Sequence, residues 1–214
     1  MAFTYFFRDQ AVLDLIAQHA LPDLTTRRYI NVWDAGCAYG PEPYSLAITF
    51  REHMGHFLFR NVRIYATDID ESQHFGDVIA RGVYTDTEVG RVPADILTRY
   101  FEPSGEPGHM RVRDEIRGAV RYQRHDLLTL QPIRTEVGLI VCKNVLLHFT
   151  PEQRVAVLRM FHDALMPDGY LVTEQTQKLP PEIEPLFRRV SGAGQIFQKN
   201  NNDPALTQPI SCAL

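Results

Sequence analysis

Asp34, Gly36, Gly40 and Glu42 fall inside one stretch, VWDAGCAYGPEPYSLAI (32–48), which opens as an apolar strand and closes as an apolar helix. In an open parallel sheet, ligands settle beyond the carboxyl ends of the strands, where the first strand turns into its helix. Glycine at such a turn admits positive φ and lets a ligand approach where a Cβ would block it, so Gly36 and Gly40 are candidate binding residues. The spacing D-x-G-x-x-x-G differs from the G-x-G-x-x-G that seats a pyrophosphate on a helix N-terminus, which disfavours a dinucleotide. A further acid, Asp68, ends the run IYATD 28 residues after Gly40, where a carboxylate commonly grips ribose hydroxyls. Glu42 and Asp68 repel phosphate and attract a nucleoside carrying positive charge. S-adenosylmethionine, with its sulfonium and ammonium groups, answers that description. Taken singly, Asp34 or Glu42 can as well cap the helix that follows; turn, acid and second-strand acid in combination favour the nucleoside site.

Alternating strands and helices must hold these residues in place. Strands are predicted over 29–37, 62–70, 137–149 (running into a loop) and 169–176. Helices are predicted over 43–54, with Pro43 in the first turn, over 72–82, closed by Gly82, and over 151–166. Such alternation implies a mostly parallel sheet between helix layers. Residues 83–120, with the turn-rich EPSGEPG and an alternating run after it, read as a small β insertion whose free edge could accept a partner strand. LFRRVSGAGQIFQKN, two strand-like runs around SGAG, reads as an antiparallel terminal hairpin. One domain is therefore expected over 1–200, with a loose tail over 201–214.

Composition narrows the class. The 214 residues, 44% apolar and 22% charged, suit one soluble α/β domain. A net charge of −4 argues against nucleic acid as partner. Cys37, Cys142 and Cys212 are odd in number and lack CxxC spacing, so neither a disulfide framework nor a zinc ribbon is expected. The pair in HMGH (53–56) lacks a third ligand, and no metal is expected. No signal-like start or long apolar run is present, and the expected location is the cytoplasm, without membrane insertion.

TYFFRD (4–9), DAGCAYGPEPYSLAI (34–48), IYATDID (64–70), GVY (82–84), RYF (99–101) and IVCKNVLLHF (140–149) together resemble the CheR family. These are S-adenosylmethionine-dependent methyltransferases of bacterial chemotaxis signalling, which esterify glutamate side chains of chemoreceptors. The resemblance implies a Rossmann-like class I methyltransferase fold, S-adenosylhomocysteine as product, and a protein substrate: chemoreceptor cytoplasmic helices or another signalling protein. It also implies roles. Thr4 and Arg8 would lie against the cofactor's methionine end, Glu42 at its amino group and Asp68 at the ribose. Asp126 and Leu127, in DLL where the family commonly has NLL, would meet the adenine, and Asn144 and Val145 would line the same pocket. Arg8, Lys143 and His148 would be catalytic, the first two steering the acceptor carboxylate. Lys143 stands where the family has arginine and His148 where it has an active-site tyrosine. TEQTQ (173–177) replaces a glycine-histidine-serine-glutamate segment, and no counterpart of the family's helical N-terminal domain is expected. Two other readings remain: transfer to a small molecule or unrelated protein, and a catalytically inactive binding module.

Overall fold

The computed structural model describes residues 4–176 and 178–201. The chain runs through α1 (Gln10–Leu15), a π-helical turn, α2 (Leu21–Leu24), β1 (Ile30–Ala35), α3 (Pro41–Phe59), β2 (Val62–Asp68) and α4 (Phe75–Arg81). There follow β3 (Val83–Thr85), α5 (Asp86–Val89), α6 (Ala94–Tyr100), β4 (Phe101–Pro103), β5 (His109–Val112), α7 (Asp114–Arg117) and β6 (Val120–Arg124). The last elements are β7 (Val137–Cys142), α8 (Pro151–Ala164), β8 (Leu165–Thr173), β9 (Phe187–Arg189) and β10 (Ile196–Lys199).

Seven strands form the main sheet in the order β6-β2-β1-β7-β8-β10-β9. The first five run parallel, and β10 pairs antiparallel with both β8 and β9. This is the expected α/β class, a mostly parallel sheet ending in an antiparallel hairpin. Strand order reverses at β1, between β2 and β7, so a crevice opens beyond the carboxyl ends of these three strands. β7 is buried at every position because both faces of the sheet are covered. Neighbours along β1 point to opposite faces: Val32 packs with Leu46, Ile48 and Phe50 of α3, Trp33 with Leu158 and Phe161 of α8.

Several boundaries depart from the sequence reading. α3 starts at Pro41, in the first turn where its missing N–H costs nothing, and it runs to Phe59 through an interruption at Gly55 (φ 73°, ψ 175°). The helices over 10–24 were not foreseen, although Val12, Leu13, Ile16, Ala20, Leu21 and Leu24 recur at helical spacing and are all buried. β6 opens at Val120, the last residue of the expected insertion, and pairs parallel with β2. The small sheet is therefore β3-β5-β4 alone, antiparallel, with β3 and β4 at its edges. β8 begins at Leu165 and carries a register shift opposite Val137 and Leu139. The expected tail lies outside the described residues beyond Asn201, as does Cys212. No helix among the described residues is long and apolar enough to cross a membrane.

Candidate functional site

The turn after β1 is built by its neighbours. The N–H groups of Gly36 and Cys37 donate to the Thr67 carbonyl at 2.7 and 3.0 Å. Gly36 has φ +104°, and a Cβ there would meet Val145 Cγ2 at 2.1 Å, so glycine makes room for a side chain from the far wall. Gly40, φ +102°, caps α3, and the space a Cβ would take is filled by Ile79 and Tyr84, each 2.7 Å away. Gly40 is not among the residues that line the crevice. Ala38 N–H donates to Asp68 Oδ2 (2.9 Å) and Asp70 N–H to Oδ1 (3.2 Å). Each oxygen keeps a second acceptor site, and Asp68 lines the crevice.

The N-terminal segment is pinned across the mouth. Phe7 N–H donates to Ser45 Oγ (2.9 Å), whose hydroxyl donates to the Pro41 carbonyl (2.6 Å). Phe6 is buried with its ring edge-on to Tyr84 and Phe101, at 4.9 and 5.2 Å between centroids. Tyr84, from β3, donates in turn to the Tyr39 carbonyl (2.9 Å). Thr4 and Arg8 thereby reach the crevice.

Lys143, 7% exposed, places Nζ 2.8 Å from Asp9 Oδ2 and 3.0 Å from Glu42 Oε2. Burial alone would pull its pKa down, but Glu42 and Asp9 outweigh that and raise it, so the ammonium stays charged. Its charge is thus directed to two carboxylates of the protein itself. Next to it, Asn144 adopts left-handed backbone (φ 59°) and donates its N–H to Glu174 Oε2 (3.3 Å). His148 is exposed and ends a 3-10 turn over Leu146–His148. Arg154 of α8 donates to the Leu146 and Phe149 carbonyls, both at 3.1 Å, and fixes that turn. Opposite, Asp126 caps the turn Leu127–Thr129 by accepting from Leu128 N–H (2.9 Å). His125 beside it lies edge-on to Trp33 at 5.7 Å, and burial lowers its pKa.

These elements enclose one cavity of about 900 Å3. Thr4, Arg8, Gly36, Glu42, Asp68, Asp126, Leu127, Lys143, Asn144, Val145 and His148 all line it. So do Glu71, His125, Ile69, Leu128, Leu147 and Phe149, which the sequence did not single out. Asp9 belongs to the same layer through Lys143, and its signal was present in TYFFRD. Glu42, Asp68, Glu71 and Asp126 set four acids against Arg8 and Lys143, a wall that suits a ligand with positive charge.

Comparison with known proteins places these residues in context. Residues 2–195 match the family described as CheR methyltransferase, SAM binding domain. A chemotaxis protein methyltransferase of Vibrio parahaemolyticus is 32% identical over 180 residues, which cover 82% of this chain and 64% of that protein. Chemotaxis protein methyltransferase 1 of Pseudomonas aeruginosa is 31% identical over 192 residues, 85% of this chain and 69% of that one. An uncharacterized 104.1 kDa protein of Rhodobacter capsulatus is 31% identical over 202 residues, 91% of this chain and 20% of that one. The chain thus spans less than two thirds of the length of the Vibrio relative.

Proposed function

The chain belongs to the CheR methyltransferase family, and from that premise we propose that it transfers the methyl group of S-adenosylmethionine to a glutamate carboxylate on a protein. The observation that carries the reading is the acid-walled cavity at the switch point of the sheet, lined also by Arg8. The residues present fit the cofactor. Glu42, held by Lys143, receives the ammonium; Asp68, with acceptor sites to spare, receives the ribose hydroxyls. Asp126 accepts from the adenine amino group, with Leu127 and Val145 against the ring system. Thr4 and Arg8 face the methionine end.

The bound cofactor supplies an electrophilic methyl carbon on a sulfonium. A glutamate acceptor with an ordinary pKa near ~4.3 is already ionised at neutral pH, so no general base is required. The chain's part is to hold the acceptor in line and to keep water off it, which can supply roughly 7–11 kcal/mol of the barrier. Arg8 provides a guanidinium that can fork to a carboxylate, and His148 and Asn144 border the acceptor side. Lys143 acts one step back, by positioning Glu42 and Asp9.

The test is transfer of labelled methyl from S-adenosylmethionine to chemoreceptor cytoplasmic fragments and to glutamate-bearing control peptides. A base-labile methyl ester on a glutamate supports the reading. A base-stable product would assign a different acceptor, and cofactor binding without transfer to any acceptor would favour the binding module.

A further inference from the structure

Asp34 has no part in the cofactor contacts above, yet it is the most confined acid of the site. It sits within β1, in register with Ala66 of β2 and Val141 of β7. Its side chain is fully buried at 0% exposure, and neither carboxyl oxygen has a donor among the described residues. Of the charged groups around it, the carboxyl of Glu42 acts on it most strongly. Two carboxylates offer each other only lone pairs, so the contact is repulsive unless one of them carries a proton. Glu42 is the member held as an anion, because Lys143 Nζ lies 3.0 Å from its Oε2. Asp34 has no cation of its own at contact distance among the described residues, and the proton falls to it.

We propose that Asp34 is a positioning residue, protonated at neutral pH, whose O–H donates to Glu42 and with Lys143 clamps the carboxylate that receives the cofactor's ammonium. The second half of this statement rests on the role given to Glu42 above. The groups around Asp34 favour the assignment, with one exception. Glu42 on α3 and Asp68 on β2 add negative charge, Cys37 in the turn and Cys142 on β7 are buried neutral thiols, and Lys143 alone favours the anion. Burial first, and then the charge of Glu42, hold the Asp34 carboxyl well above the usual carboxylate range.

The sign of the resulting pH dependence follows. Because the folded-state pKa is raised above the ordinary 3.8, the native protein binds more protons than the unfolded chain above that value. Stability contributed by the proton is complete in acid and declines as pH rises toward the folded-state pKa. Asparagine keeps a donor at this position and cannot ionise.

The experiment compares wild type, Asp34→Asn and Asp34→Leu, by thermal unfolding of the ligand-free chain across pH 5–9 and by calorimetric titration with S-adenosylhomocysteine. The expected result is that Asp34→Asn binds the product like wild type and shows a flatter stability profile on the alkaline side. Asp34→Leu, of similar volume and without a donor, should still fold and bind roughly ten to a hundredfold more weakly, the loss expected for a hydrogen bond to a charged group. Identical pH profiles for wild type and Asp34→Asn overturn the proton assignment. Equal loss of product affinity in both variants overturns the clamp. A wild type that does not bind the product overturns the role of Glu42 and the clamp with it, while the ligand-free profile still decides where the proton is.

Discussion

Lys143 occupies the position where the resemblance implies arginine, and its surroundings define what a substitution must preserve. One ammonium at 2.8 and 3.0 Å serves two carboxylates, Asp9 from the N-terminal segment and Glu42 from α3. Lys143→Met should leave both without a counter-charge. Removing one partner of a buried pair costs about 3–5 kcal/mol, and the low end applies because Asp9 is partly solvated. Urea unfolding at neutral pH measures the loss, and product binding should fall with it. Lys143→Arg should retain both, since a guanidinium can fork across two acceptors; an arginine variant as damaged as the methionine one would mean that space, not charge, decides this site. His148 is a different case, exposed on the rim of the cavity. His148→Tyr moves the rim toward the pattern the resemblance implies and should keep or raise ester formation on a glutamate acceptor. Abolished turnover with intact product binding would give the imidazole a role of its own and count against the carboxylate.

At the scale of elements, the site depends on short bonds that lock one element to the next. The Asp70 carboxylate, 3% exposed, accepts from Ser72 Oγ, the N–H groups of His74 and Phe75 at the start of α4, and Tyr122 Oη on β6, at 2.8–3.1 Å. Burial pushes its pKa up, but the bonds from Tyr122, Ser72, His74 and Phe75 prevail and lower it below 3.8. Its stabilisation is therefore complete above that value and lost as pH falls through the lowered one. Asp70→Ala should cost about 2–3 kcal/mol at pH 7, and the gap between the two proteins should close in strong acid; unfolding titrations at the two pH values test this. The exposed turn between β4 and β5, residues 105–108, is a different case. Replacing residues 105–108 by Asn-Gly leaves Ser104 and His109 facing each other and gives a two-residue hairpin. Product affinity should be unchanged, and an equal loss of affinity and stability would show that the loop supports the main fold. What could be read in advance follows the range of the signal. The turn after β1 and the αL cap at Gly82 are local chemistry, and Asp34 and Asp68 share one end of the sheet because β1 and β2 run parallel, with Glu42 in the first turn of α3. The membership of β6 in the large sheet was not legible, because alternation is local while the choice of partner strand is not. Nor was the reason for Gly40, whose neighbours Ile79 and Tyr84 come from later in the chain.

The whole molecule converges on the cavity, and this makes ligand binding a global measurement. Its walls come from the N-terminal segment, the turn after β1, the end of β2, the turn at Asp126 and the loop after β7, so a ligand bound there ties together segments that unfolding must separate. A ligand that binds only the folded state adds about 2.7 kcal/mol of stability at a hundred times its dissociation constant. For a chain of this size each kcal/mol raises the midpoint by roughly 2–4 °C, which predicts a rise of about 5–11 °C with S-adenosylhomocysteine. Arg8 tests where that energy arises. If its guanidinium meets the carboxylate of the methionine end, Arg8→Ala removes about 1.5–3 kcal/mol of binding. At the same ligand concentration the added stability then drops to roughly 0.3–1.3 kcal/mol, a rise of only a few degrees by calorimetry or dye-monitored melting. A full shift in Arg8→Ala together with lost methyl transfer would move Arg8 from the cofactor to the acceptor. A full shift with normal transfer would remove it from the site altogether and leave the crossing of the N-terminal segment to Phe6, Phe7 and Asp9.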